Sequence, residues 1–259
     1  MDSLKALVQF FTQEGKSYRL IEDKDEMNQL AGTIHHEGIC MVSKTRPMMT
    51  LHELFEQETR RANANSTPPK THSTITSPII SKEPNRNPSV LDRPIIVVLD
   101  NMEMDNVGPI IRSCASFGVR TVISLNQSLL SNGESIISPS RYLTSRGAME
   151  YVDIVETPSI TKLGDILMEF KVYGWEIISI IGRERNAPLS IFSDDSIKSL
   201  GTKPLIVLLG SDGKGISSTL LRLTDKDIHV PSYVINGGLN ASQSISIILS
   251  ECWRLHGRK

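Results

Sequence analysis

Three polar segments of this sequence carry the side chains that could bind a ligand or take part in a reaction. Each combines glycine with Asn, Asp or Arg, and each follows a short apolar run typical of a buried strand. In open α/β sheets, ligands bind beyond the carboxyl ends of the strands, so we expect these segments to border a ligand site. The segments are DNMEMDNVGPIIRSCASFGV (100–119), LLGSDGKGIS (208–217) and HVPSYVINGGLNASQS (229–244).

The second segment does not match two common phosphate-binding motifs. A P-loop ends in Gly-Lys-Ser/Thr, whereas here Gly210 and Gly213 precede Lys214 and Gly215. The Gly-x-Gly-x-x-Gly pattern of dinucleotide sites does not occur in the sequence. Three glycines this close together predict tight turns and a close approach of the backbone to a flat or buried group. A turn that merely joins a strand to a helix stays open as the other interpretation.

The elements that would position these segments lie in the C-terminal two-thirds of the chain. Continuously apolar strands alternate there with helical segments, which indicates a mostly parallel sheet covered by helices on both faces. We therefore predict an α/β domain over residues 94–259. The clearest strands are RPIIVVLD, VRTVISL, WEIISIIG and KPLIVLLG, and the closing helix is ASQSISIILSECWRLHG.

The N-terminal part of the chain predicts a small, incomplete α/β segment over residues 1–62. Its helices end at Gly15 and Gly32, since glycine is favoured where a helix stops. Residues 63–93 are rich in Pro, Ser, Thr and Asn and show no sustained period, which predicts a flexible linker. The strands predicted for the segment are KSYRLIE and IHHEGICMVSK.

Composition excludes several classes of protein. No apolar run is long enough to span a membrane, and the N-terminus lacks a signal-peptide pattern, so we expect a cytoplasmic protein. The three cysteines, Cys40, Cys114 and Cys252, have neither disulfide-framework nor metal-site spacing, and we expect no metal. Nucleic-acid-binding proteins usually carry a basic excess, but the net charge here is −1. A site for nucleic acid would have to be a local basic surface, a short footprint, or shared between subunits.

In this order and spacing, the three segments resemble the three signature motifs of the SpoU/TrmH methyltransferases of the SPOUT superfamily. Two positions depart from the family pattern: Asp212 stands where Glu is usual, and Gly238 stands where Ser is usual. SRGAMEYV resembles the Ser-x-Gly-Ala stretch of the family, and AGTIHHEGICMV resembles the end of its N-terminal RNA-substrate-binding domain. The matching residues are Asn106, Gly108, Arg112, Ala115 and Gly118, then LGSDGKGIS (209–217), then Val230-Pro231-Ser232 and Gly238-Leu239-Asn240-Ala241-Ser242.

The resemblance implies an AdoMet-dependent RNA methyltransferase that modifies the ribose 2′-hydroxyl of tRNA or rRNA. It also implies a C-terminal trefoil knot and a homodimer, for which the last helix offers an apolar stripe of Ile245, Ile248, Leu249 and Trp253. The cofactor, S-adenosyl-L-methionine (AdoMet), would be held mainly by main-chain groups. The positions that carry over for this contact are Leu209, Gly210, Val230 and Leu239.

The resemblance makes Arg112 the favoured catalytic residue. A guanidinium is a poor base at its normal pKa, so two roles are open. Arg112 either loses a proton with help from the substrate phosphate, or it stays charged and orients that phosphate. Asn106 and Asn240 would order the loops and the substrate, and Asp212 would bind Asn106. Because Gly238 removes a hydroxyl beside these loops, a catalytically weakened or inactive RNA-binding member of the same fold is the alternative.

Overall fold

The computed structural model describes residues 2–32, 34, 36, 38–40, 48–64, 93–131, 135–182, 189–233 and 238–256. The chain divides into two compact units, Met1–Pro47 and Met48–Lys259. Most of the linker predicted over residues 63–93 lies outside the described residues, so this linker and the boundary at residue 62 stay predictions.

The N-terminal unit contains both of the helices predicted for it. Helix α1 spans Asp2–Gln13 and is followed by Gly15, whose φ of 63° is left-handed. Helix α2 spans Lys24–Ala31, and the Asp23 side chain caps its start by accepting a hydrogen bond from the Asp25 backbone. Gly32, with a φ of 64°, ends α2. The two glycines therefore end the helices as predicted.

The two strands predicted for this unit are absent from its described residues, so both predictions are wrong there. Residues 16–22, which carry KSYRLIE, form no strand. In the other predicted strand, IHHEGICMVSK, the Ile39 N–H donates to the carbonyl of His36 across Gly38, whose φ is 83°. This hydrogen bond closes a turn. A strand is stabilised by pairing with a neighbour, and the described part of the unit contains no strand to pair with. The end of IHHEGICMVSK, from residue 41, lies outside the described residues.

Helix α3, Leu51–Ala64, was not predicted; it belongs to the C-terminal unit and reaches into the predicted linker. Its first turn is a capping box, in which the Glu53 N–H donates to the Thr50 hydroxyl and the Thr50 N–H donates to the Glu53 carboxylate. The Thr50 N–H and the Thr50 hydroxyl both donate to the Glu53 carboxylate, and these two hydrogen bonds lower the pKa of Glu53. Leu54 is fully buried, and the Phe55 ring packs edge-on against Phe170 at a centroid distance of 5.1 Å. The Thr-x-x-Glu pattern at residues 50–53 was the available signal for this helix.

The C-terminal unit is built on a seven-stranded sheet in the order β3-β2-β1-β6-β4-β7-β5, and every strand pair is parallel. This confirms the predicted parallel sheet. The strands are β1 Ile95–Asp100, β2 Thr121–Leu125, β3 Asp153–Thr157, β4 Glu176–Ile180, β5 Leu189–Ser190, β6 Leu205–Gly210 and β7 Lys226–His229.

Helices cover both faces of this sheet, as predicted. Along β1, Val97 and Leu99 face one apolar cluster, whereas Ile96 and Val98 face the other, because successive side chains of a strand point to opposite faces. The helices are α4 Met104–Ser116, α5 Pro139–Ser145, α6 Ile160–Val172, α7 Asp194–Thr202, α8 Ser218–Leu221 and α9 Ala241–His256. The first cluster is completed by α4, α7 and α9, and the second by α3, α6 and α8. None of the described helices could span a membrane, given their length and hydropathy.

Candidate active site

The site lies at the carboxyl ends of the central strands. Asp100 and Gly210, the last residues of β1 and β6, are register partners. The first loop (residues 101–103) therefore starts beside the second loop (211–217). The third loop (230–240, described except for 234–237) joins β7 to α9.

One carboxylate connects the second loop to the helices that follow the first and third loops. The Asp212 Oδ2 accepts a hydrogen bond from Nδ2 of Asn106 at 2.9 Å, and its Oδ1 accepts from the backbone N–H of Ala241 at 2.7 Å. Asn106 lies in the first turn of α4, and Ala241 is the first residue of α9. The side chain of Asp, although one methylene shorter than Glu, thus reaches both helices. Because a carboxylate can only accept, Asn106 turns its NH₂ toward Asp212, and its Oδ1 is left to accept from another group.

Asn240 is the N-cap of α9. Its Oδ1 accepts a hydrogen bond from the Gln243 N–H at 2.9 Å, and Oε1 of Gln243 accepts from the Asn240 N–H at 3.1 Å. This reciprocal pair fixes the first turn of α9 and directs the Ala241 N–H toward Asp212. Asn240 therefore orders the end of the third loop, while a contact with substrate stays a prediction.

The second loop folds back onto the end of β6. The Gly215 N–H donates to the carbonyl of Ser211 at 2.8 Å, and Gly215 has a left-handed φ of 68°. A Cβ added to Gly210 would overlap the backbone of Gly215 and Ile216. Only glycine fits at position 210, which accounts for this part of the glycine pattern.

The predicted cofactor positions suit a flat, partly apolar ligand. Leu209 is buried, so it can contact a ligand only through its main chain. Val230 is half-buried against the core, and Leu239 is 39% exposed at the end of the third loop. Apolar side chains open to solvent beside loop backbone match the needs of an adenine ring. These residues therefore fit AdoMet, and their contacts with it stay predictions.

Arg112 lies apart from the cluster around Asp212. It is six residues beyond Asn106 on α4, which is about 9 Å along a helix axis and on a different side of it. Its side chain is exposed, and its guanidinium makes no hydrogen bond or ion pair with the described residues. Earlier on α4, Gly108 has no space for a Cβ, because one would overlap the Thr144 side chain of α5. The structure therefore brings together Asn106, Asp212 and Asn240, but not Arg112.

Asp100 is a site residue that the sequence did not single out. Its carboxylate is 3% exposed and accepts hydrogen bonds from the Ser217 backbone at 2.6 Å and from Nδ2 of Asn101 at 2.8 Å. The available signal was an acidic residue closing the apolar run IIVVLD, where a carboxylate would otherwise be costly to bury.

Other candidate groups near the loops are not placed for chemistry. Burial raises the pKa of Cys252 in α9 to about 12 and also raises the pKa of Cys114 in α4, so both are protonated thiols. The Ser246 hydroxyl of α9 lies 2.8 Å from the Ser113 hydroxyl of α4, which is a packing contact. Lys214 is exposed. The described residues contain no group of three or more His, Cys, Asp or Glu placed to hold a metal ion.

A parallel α/β domain whose loops meet at the carboxyl ends of its central strands belongs to a class of ligand-binding folds. Comparison with known proteins identifies the family. Residues 94–250, more than half of the chain, match the SpoU rRNA Methylase family. The chain belongs to this family, which confirms the resemblance of its motifs.

A relative in Escherichia coli O157:H7 matches almost the whole chain. This protein, an uncharacterized tRNA/rRNA methyltransferase named YfiF, is 23% identical over 250 residues, which are 96% of this chain. The chain spans 58% of the length of that relative.

Two solved structures share the fold. The TrmH/SpoU tRNA modifying enzyme of A. aeolicus aligns with a TM-score of 0.52 and 24% identity, covering 64% of this chain and 78% of that one. The SpoU methyltransferase AviRb of Streptomyces viridochromogenes, in complex with AdoMet, aligns with a TM-score of 0.52 and 18% identity, covering 74% and 77%. The sheet and its helices are therefore those of SpoU methyltransferases.

Proposed function

We propose that this protein is an AdoMet-dependent RNA methyltransferase that modifies ribose 2′-hydroxyls in tRNA or rRNA. The observation that carries the proposal is the double hydrogen bond of Asp212, which joins the three family motifs into one cluster. Membership of the SpoU family and a relative named as a tRNA/rRNA methyltransferase support the reaction and the class of substrate.

The cofactor would be held by the main chain of the second and third loops. Leu209 and Gly210 would contribute backbone groups at the end of β6, and Val230 and Leu239 would add apolar surface. When bound, AdoMet supplies an electrophilic methyl group on a sulfonium centre. The AdoMet complex of AviRb, which has the same fold, supports this choice of cofactor.

The residues of the chain would act mainly by positioning, which can supply much of the rate of a transfer between two bound groups. The Oδ1 of Asn106 is directed by Asp212 to accept a hydrogen bond, and a ribose hydroxyl is a suitable donor. Arg112 is exposed and has no acidic partner among the described residues, so its guanidinium is available to a phosphate. Of the two roles left open for Arg112, the charged one that orients a phosphate suits an exposed guanidinium with no acidic partner among the described residues.

The proposal includes a homodimer, a trefoil knot in the C-terminal part of the domain, and a cytoplasmic location. In α9, Ile245, Ile248 and Leu249 are buried in the core, whereas Trp253 is exposed and remains for an interface. Light scattering should give twice the protomer mass of 28.7 kDa. A stable monomer would contradict the dimer, and a crystal structure with an unthreaded C-terminal segment would contradict the knot.

The decisive experiment is methyl transfer from tritiated AdoMet to purified tRNA and rRNA in parallel. Label should enter one of the two RNAs and, after alkaline hydrolysis, be recovered in dinucleotides, because a 2′-O-methyl group blocks attack on the adjacent phosphate. Arg112→Ala should abolish transfer while unfolding and AdoMet affinity stay unchanged. Label that enters a base rather than a ribose would refute the 2′-O assignment.

The alternative function is RNA binding without transfer, and Gly238 is the observation that favours it. In that case RNA would bind while no label is transferred. Gly238→Ser tests the cause directly, since a Cβ at Gly238 would meet no atom within 4 Å. Transfer gained by this variant would identify the missing hydroxyl as the defect.

A further inference from the structure

The buried carboxylate of Asp100 fixes the far end of the second loop. Asp100 closes β1, and its register partner Gly210 closes β6. Seven residues further along the chain, the Ser217 N–H donates to Oδ2 of Asp100 at 2.6 Å. Both ends of the second loop are therefore attached to the same residue, one end through the sheet and the other through a side chain.

This carboxylate is costly to bury and is present without a cation. Asp100 is 3% exposed, and no ion pair to it exists among the described residues. Its two oxygens each accept one hydrogen bond from a neutral donor, Oδ2 from Ser217 and Oδ1 from Asn101. An uncharged side chain at this position would avoid the desolvation cost. The presence of a carboxylate therefore indicates that its two acceptor oxygens are needed to hold Ser217 and Asn101.

Asn101 fixes the orientation of this carboxylate. It has a left-handed φ of 46°, its N–H donates to the carbonyl of Leu125 at 2.9 Å, and its Oδ1 accepts from the Gln127 N–H at 3.1 Å. The Asp100 side chain is thereby tied to the end of β2 as well as to the second loop. The resulting chain of hydrogen bonds runs across the carboxyl ends of β2, β1 and β6.

We propose that Asp100 is a positioning residue for the cofactor site: it fixes the path of the second loop, whose backbone would contact AdoMet. The inference rests on the proposed function. With Ser217 fixed, the loop turns back over Gly210 and presents Asp212 to Asn106 and Ala241. Because Asp100 is buried, it would act through the loop backbone rather than by contact with cofactor or substrate.

Asp100→Asn tests this with minimal change of shape. Both oxygens of Asp100 face donors, so the NH₂ of an asparagine must face either the Ser217 N–H or the Asn101 NH₂. The amide is isosteric but loses one of the two bonds and creates a contact between two donors.

Asp225→Asn is the matched control at the opposite edge of the sheet. Asp225 accepts from the Ile177 N–H at 2.8 Å with one oxygen and pairs with Lys171 at 2.7 Å with the other. Ile177 lies at the start of β4, so this aspartate is far from the loops. Asp225→Asn therefore also removes one acceptor oxygen of a doubly bonded aspartate, here with its ion pair to Lys171, without touching the second loop.

The measurement is AdoMet affinity by calorimetry, with RNA affinity and thermal unfolding recorded for the same variants. Asp100→Asn should weaken AdoMet binding by about tenfold or more, the effect of one charged hydrogen bond, and leave RNA affinity unchanged. Asp225→Asn should lower the unfolding temperature and leave AdoMet affinity unchanged. Equal loss of AdoMet affinity in both variants, or wild-type affinity in Asp100→Asn, would overturn the inference. Wild-type protein that does not bind AdoMet would instead overturn the proposed function, and the inference with it.

Discussion

The second and third loops border the same candidate site, but they differ in how far each is fixed by its own structure. The second loop is closed by a backbone hydrogen bond between Ser211 and Gly215 and is held at its end by Asp100. In the described part of the third loop, Tyr233 is fully exposed and Gly238 has open space around it, whereas Asn240 is fixed by its hydrogen bond with Gln243. The comparison indicates that the second loop provides a preformed surface, whereas Tyr233 and Gly238 of the third loop lie open to solvent.

The largest expected effect is that of Gly210→Ala. The added Cβ would overlap backbone atoms of Gly215 and Ile216, which cannot move without opening the turn. We expect AdoMet binding to be lost, and the free energy of unfolding to fall by roughly 1–3 kcal/mol, as for overpacked sites. Calorimetry and denaturant unfolding measure the two quantities.

Gly213→Ala is the control within the same loop. A Cβ at this position would lie 3.8 Å from its nearest neighbour atom, Oε1 of Glu103. This variant should keep wild-type stability and affinity. If Gly210→Ala also behaved like the wild type, the second loop could not be described as preformed.

The next effect is that of Asn106→Asp, which tests the link between the second loop and α4. The substitution replaces the NH₂ that donates to Asp212 by a carboxylate oxygen, so two negative charges face each other. We expect methyl transfer to fall by about a hundredfold or more, because both the link to the loop and the fixed acceptor are lost. Initial rates with saturating AdoMet and RNA measure this.

A second substitution should restore the link. In Asn106→Asp combined with Asp212→Asn, the new amide can donate to position 106 and still accept from the Ala241 N–H. Thermal stability should return toward the wild-type value even if transfer does not. A double variant no more stable than Asn106→Asp alone would show that this hydrogen bond does not hold the loops together.

Much of this arrangement was readable from the sequence, and the exceptions have physical causes. The apolar runs predicted the sheet because strands buried on both faces must be apolar throughout, and Gly15 and Gly32 ended their helices as expected. KSYRLIE failed as a strand because strand propensity depends on a paired neighbour, which local sequence does not reveal.

For the site, the spacing of family motifs identified Asn106, Asp212 and Asn240, which the structure brings together. Asp100 was missed because its partner, the Ser217 backbone, is 117 residues away and has no side-chain signature. Helix α3 was not predicted, although the Thr50–Glu53 capping box is a local signal for its first turn.

A small effect is expected from Gly238→Ser in the third loop. The position has open space and no left-handed φ, so a side chain fits without strain. Stability should stay within about 0.5 kcal/mol of the wild type, as for an exposed substitution, and transfer should stay equal or rise. Gly238→Ala separates the hydroxyl from the Cβ, since only Ser should raise transfer. A loss of stability as large as that of Gly210→Ala would remove the contrast between the two loops.

The smallest effect at neutral pH is expected in α9, the helix that follows the third loop. It tests whether α9 stays packed against the core in the folded protein. Cys252 is buried, and its pKa of about 12 lies above the ordinary value of 9.0. Between these pH values the folded state binds more protons than the unfolded state, so its stability must fall as pH rises. Below pH 8 this contribution is constant. Above pH 9 it should decrease by about 1.4 kcal/mol per pH unit for this thiol.

The free energy of unfolding, measured between pH 9 and 10.5, should therefore fall less steeply with pH for Cys252→Ala than for the wild type. Cys40→Ala, which removes an exposed thiol, is the control. An equal slope for wild type and Cys252→Ala would mean that the Cys252 thiol reaches solvent in the folded protein.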